Sequence, residues 1–131
     1  MIVVDASALV AILLNESEGP AFREALLVES DIRLSPVGYW EAAIRLRSLR
    51  GVAGVKDLDR LIAQFNIAVS PATAATAVLA SEAESLYGKR SAAKLNLGDC
   101  FAYALAKELD APLLFKGGDF TETDLISAVP A

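Results

Sequence analysis

The chain has 131 residues, 54% of them hydrophobic and 22% charged, enough to bury a core and too apolar for a disordered binder. It contains no histidine and one cysteine, Cys100, which excludes a Ser-His-Asp triad, a histidine general base, a disulfide framework and any CxxC metal or redox site. The net charge of −5 argues against a uniformly basic surface, yet residues 45–94 hold eight basic side chains against four acidic ones, so a polyanionic ligand stays admissible.

The apolar opening, residues 1–14, is interrupted by Asp5 and carries no basic leader. It is also shorter than the roughly 20 residues of a membrane span, so it reads as a strand entering a helix in a cytoplasmic protein without a membrane partner. Residues 2–4 are a β-branched run of the kind found in a strand buried on both faces, and Asp5 or Ser7 can cap a helix over residues 8–14. Gly19-Pro20 breaks the chain before a helix over residues 21–28, where Phe22, Ala25 and Leu26 recur at helical spacing. Ser35-Pro36 opens a helix to about Arg50 that Gly51 and Gly54 end, and residues 56–65 form a further amphipathic helix.

Residues 67–69 read as the second strand, followed from Ser70-Pro71 by a helix over residues 72–86. Residues 88–96 are polar and basic and read as a loop; Gly98 leads into a helix over residues 99–109. Residues 112–115 are a third apolar strand, Gly117-Gly118 a turn, and residues 126–129 a fourth strand. Strands alternating with helices predict an α/β fold, a short, mostly parallel sheet of four or five strands flanked by helices.

Four acids stand where chemistry is expected, and each also has a structural explanation. Asp5 follows a parallel strand, where open α/β sheets bind ligands, and is equally placed to cap the next helix. Glu41 lies four residues after Val37 and three before Ile44, on the apolar stripe of its helix, so it requires a cation, an arginine or hydrogen-bond donors. Asp99 lies in a first helical turn, which the macrodipole favours, with Ala102 and Ala106 on its face. Asp119 follows a strand and a Gly-Gly turn, where a solvated aspartate is also common. If such side chains converge within about 5 Å, each pair repels by about 3 kcal/mol at an effective dielectric near 20, and a cation is needed among them. All-oxygen donors select a hard ion, Mg²⁺ or Mn²⁺, and a hard ion beside a polyanion suggests phosphodiester hydrolysis without histidine.

The opening MIVVDASALVAILLNE, the S-P-V-x-x-x-E of residues 35–41, the L-N-L-G-D-C-F-A-Y-A-L-A of residues 95–106 and the P-L-L-F-K-G-G-D-F of residues 112–120 together resemble the PIN-domain ribonucleases, specifically the VapC toxins of bacterial toxin-antitoxin pairs. The match spans essentially the whole chain in order. The resemblance implies a single PIN domain over residues 1–131, a PIN-like three-layer sandwich, and an Mg²⁺- or Mn²⁺-dependent endoribonuclease. It further implies a homodimer, a VapB-like antitoxin as partner, and an RNA substrate with tRNA and rRNA as candidates. By position, Asp5, Glu41 and Asp99 fall on the first three family acids and Ser7 on the hydroxyl that supports the first. Asp119 falls nearest the fourth, with Asp124 as the alternative, because many relatives carry that acid where this chain has Gly117 and Gly118.

Lys89, Arg90, Lys94 and Lys116 are candidate phosphate contacts or ordinary solvated cations. Tyr39 and Trp40 are open to stacking on a base or to packing in a core or dimer. Haloacid-dehalogenase-type phosphatases need a second aspartate where this chain has Ser7, and a receiver domain needs an aspartate after its central strand, where Ser70-Pro71 stands. The competing reading of another class is a catalytically silent PIN-like interaction module.

Overall fold

A computed structural model describes residues 1–129; the expected domain span of 1–131 also takes in Pro130 and Ala131, which lie outside the described residues. Four parallel strands, β1 (Ile2–Val4), β2 (Ile32–Leu34), β3 (Ala68–Val69) and β4 (Leu113–Leu114), form one sheet in the order β3-β2-β1-β4. Among the described residues six α-helices flank it: α1 (Ala6–Leu13), α2 (Gly19–Leu27), α3 (Pro36–Arg50), α4 (Val52–Gln64), α5 (Ala74–Tyr87) and α6 (Leu97–Leu109).

Successive strand residues face opposite layers. Ile2, Val4 and Leu114 join a core with α1 to α4, whereas Val3 and Leu113 join a second core with α5 and α6. The predicted three-layer sandwich is therefore present, with the sheet covered on both sides. Among the described residues no helix is long and apolar enough to cross a membrane.

Several expectations are corrected. β2 lies where no strand was expected: its middle residue, Arg33, is charged and held by Asp31 at 2.7 Å, so three residues of alternating burial carry little strand signal until β1 and β3 flank them. Residues 126–129 form no strand; Ser127 makes one isolated parallel bridge to Leu113. Gly19-Pro20 starts α2 rather than separating elements, as proline is tolerated in a first helical turn.

Gly51 caps α3 with φ of +65°, but Gly54 sits inside α4, where a β-carbon would overlap the carbonyl oxygen of Leu46. Glycine there lets α4 approach α3 closely, a role no local pattern reveals. The polar segment before α6 does stay irregular, and α6 begins two residues earlier than expected because Asn96 caps it.

Candidate active site

Parallel strands point their carboxyl ends to one edge, and Asp5 follows β1 there. Asp5 caps α1: its Oδ2 accepts from the Ser7 backbone N–H at 3.1 Å and from the Ser7 hydroxyl at 2.6 Å. Its Oδ1 is buried and meets no donor among the described residues. The side chain is only 4% exposed, and burial raises its pKa while the Ser7 bonds pull the other way. The Ser7 hydroxyl also accepts from the Lys116 backbone N–H at 3.0 Å, tying the end of β1 to the segment after β4.

α3 packs across α6. Ser35 opens α3 by accepting from the Val37 N–H at 3.1 Å, and the next turn carries Glu41 to the crossing. Its carboxylate lies directly against Gly98, where a β-carbon would overlap it. α6 opens with a reciprocal cap: Asn96 Oδ1 accepts from the Asp99 N–H at 2.9 Å, and Asp99 Oδ2 accepts from the Asn96 N–H at 3.0 Å. One Asp99 oxygen is thereby committed to the helix and the other is not.

Asp5, Glu41 and Asp99 line one cavity of about 350 Å³, together with Ser7, Asn96 and Lys116. Burial, then the charges of Asp5 and Asp99, push Glu41 up to about 7. Burial and the charges of Asp5 and Asp119, opposed by the Asn96 bond, push Asp99 up to about 6. The alternative of a salt bridge from Glu41 to an arginine is absent among the described residues. Like charges thus face one another without a neutralising partner, a condition a cation relieves.

Asp119 begins a short 3₁₀ turn, Asp119–Glu122, is exposed, and stands outside the cavity lining while its charge reaches Asp99. Its place is fixed by Phe120, which is buried with its ring centroid 5.1 Å from that of Phe115. Asp124 is engaged elsewhere: its Oδ1 accepts from the Tyr103 hydroxyl and its Oδ2 from Lys107 Nζ, each at 2.7 Å, which lowers its pKa.

Among the described residues no three acidic or cysteine side chains are close enough to form a ready-made metal cluster. The fit to a hard divalent cation rests instead on donor chemistry: all-oxygen groups, mutual repulsion, and the orphaned Asp5 Oδ1. Lys116 Nζ is paired with Glu16 and with Glu18, the latter at 3.6 Å, while Lys89, Arg90 and Lys94 are exposed and absent from the cavity wall.

Tyr39 turns away, its hydroxyl donating to Asp59 at 2.8 Å. Sequence reasoning missed Glu16, Arg45 and the part played by Gly98. The Asn96-x-x-Asp99 spacing was a legible capping signal; Glu16 reaches the cavity only through the fold.

The PIN domain profile matches residues 2–125. The chain is 40% identical over 129 residues to ribonuclease VapC28 of Mycobacterium tuberculosis, covering 97% of each. It is 41% identical over 124 residues to ribonuclease VapC of Mycolicibacterium smegmatis, covering 94% of this chain and 96% of that one. Its fold superposes on the crystal structure of Mycobacterium tuberculosis VapC20, described as a sarcin-ricin loop cleaving toxin, with a TM-score of 0.82 over 99% of this chain and 100% of that one, at 16% identity. With the carboxylates at the sheet edge and this similarity along nearly its whole length, the chain belongs to the PIN-domain family and, within it, to the VapC ribonucleases.

Proposed function

We propose that this chain is a divalent-metal-dependent endoribonuclease, the toxin of a VapBC-type pair, working in the cytoplasm as a single PIN domain over residues 1–131. The observation that carries the reading is the convergence of Asp5, Glu41 and Asp99 on one cavity, none of the three forming an ion pair among the described residues. Its partners are RNA and a VapB-like antitoxin, and it assembles as a homodimer and with the antitoxin. Relatives named VapC ribonucleases support this assignment.

Asp5, Glu41 and Asp99 would hold Mg²⁺ or Mn²⁺, with Asp119 at the rim. A bound ion would supply Lewis-acid chemistry for hydrolysis of the phosphodiester, in which water adds across the P–O bond, one fragment keeping the phosphate and the other a hydroxyl. The protein's own work is placement. Ser7 occupies Asp5 Oδ2 and leaves Oδ1 uncommitted; Asn96 does the same for one oxygen of Asp99; Gly98 leaves room for Glu41. Such pre-set donors need little reorganisation when charge develops.

The test incubates antitoxin-free protein with a pool of structured cellular RNA in Mg²⁺ or Mn²⁺, beside a chelator control and Asp5→Asn, which keeps a capping oxygen. Cleavage lost in both controls supports the reading. RNA left intact in every metal by a folded wild type overturns it in favour of a binding module.

A further inference from the structure

We propose that the face of α3 beside the carboxylate cavity, built on Trp40 and Arg45, binds one unpaired nucleotide of the RNA next to the scissile phosphodiester; this rests on the nuclease reading above. Trp40 with Ile44, and Glu41 with Arg45, form two neighbouring ridges at i, i+4 spacing. They line a groove of about 450 Å³ that shares Glu41 and Arg45 with the carboxylate cavity. A strand leaving the cavity along this side therefore passes Arg45 and meets Trp40.

The two side chains are uncommitted. Trp40 is 59% exposed and, among the described residues, stacks on no other ring and carries no cation. Arg33, Arg50 and Arg60 each hold an aspartate, and Lys116, the other cation of the cavity, is paired with Glu16 and Glu18. Arg45 has no ion-pair partner among the described residues and is exposed. A free guanidinium matches phosphate oxygens through paired donors. An indole face accepts a base of any identity by stacking, but only a base whose own face is uncovered, which selects unpaired RNA over duplex.

Trp40 is the chain's single tryptophan, so its fluorescence reports on this subsite directly. Wild-type protein is mixed rapidly in Mg²⁺ with a short unpaired oligoribonucleotide or with a blunt RNA duplex, and binding is read before cleavage. Quenching by the unpaired strand and not by the duplex is expected. Trp40→Ala should raise KM by about tenfold with kcat little changed, and Trp40→Phe should restore most of the loss. Arg45→Gln should weaken binding and lessen the salt dependence by about 0.7 in log-log slope, the value of one single-strand phosphate contact. An unquenched Trp40 and an unchanged KM in a wild type that still cleaves RNA would overturn the subsite alone. So would an emission shift that follows protein concentration rather than RNA, with Trp40→Ala dissociating the assembly in sedimentation, since a second copy would then occupy the face. A wild type that cleaves no RNA removes the nuclease reading and the subsite together.

Discussion

The Glu41 carboxylate occupies the space that a β-carbon on Gly98 would fill, so α3 and α6 meet at a carboxylate set against bare backbone. Gly98→Ala would improve local helix propensity by about 1 kcal/mol, but it must displace Glu41 or part the helices, an overpacking cost of about 1–3 kcal/mol. We expect net destabilisation in thermal melts and a loss of RNA cleavage of about 100-fold, because a shift near 1 Å at a reacting site is that costly. Wild-type cleavage by Gly98→Ala would show that Glu41 placement is immaterial.

The uncompensated acids predict an unusual pH dependence of stability. Burial, with neighbouring like charges, pushes Glu41 from its ordinary 4.5 up to about 7 and Asp99 from 3.8 up to about 6 in the folded protein. Between those values the folded state binds protons that the unfolded chain does not, so stability of the metal-free protein falls as pH rises. Melts in chelator should show a higher midpoint at pH near 5.5 than at pH near 8, and Mg²⁺ should flatten the difference by binding the ionised acids. A midpoint that rises with pH in chelator would contradict the burial and like-charge repulsion that raise these two groups.

Ser7 links Asp5 to the backbone N–H of Lys116. Ser7→Ala leaves that N–H without its acceptor and removes one of the two donors to Asp5 Oδ2, the backbone N–H remaining, which should lower stability by about 1–2 kcal/mol. Cleavage should fall by about 10- to 100-fold, as for other residues that orient a ligand. Denaturant unfolding and initial rates together separate the two effects.

Asp119 and Asp124 should separate by function. Asp124 serves Tyr103 and Lys107 at a half-exposed site, so Asp124→Asn should cost about 1 kcal/mol of stability or less and leave cleavage intact. Its lowered pKa makes that contribution present at neutral pH and lost on acidification below the ordinary carboxylate range. Asp119→Asn should leave stability unchanged and reduce cleavage by about tenfold through its effect on Asp99. A reversed pattern would move the fourth acid to Asp124.

The sequence by itself determined the features governed by neighbours along the chain. Ser35-Pro36 announced α3, the β-branched run before Asp5 announced a doubly buried strand, and the want of histidine left the chemistry to carboxylates, lysine, hydroxyls or a metal. Family motifs pointed to Asp5, Glu41 and Asp99, and the fold brings these three to one cavity. Tertiary structure alone decided the rest, because those features depend on residues distant in sequence. β2 is a strand only between β1 and β3; Gly54 and Gly98 matter only where another helix crosses them. Glu16 reaches Lys116 only through the return of the chain after β4. The commitment of Asp124 to Tyr103 and Lys107, and the exposure of Arg45 and Trp40 without a partner among the described residues, are likewise properties of spatial neighbours, which a pattern of spacing does not encode.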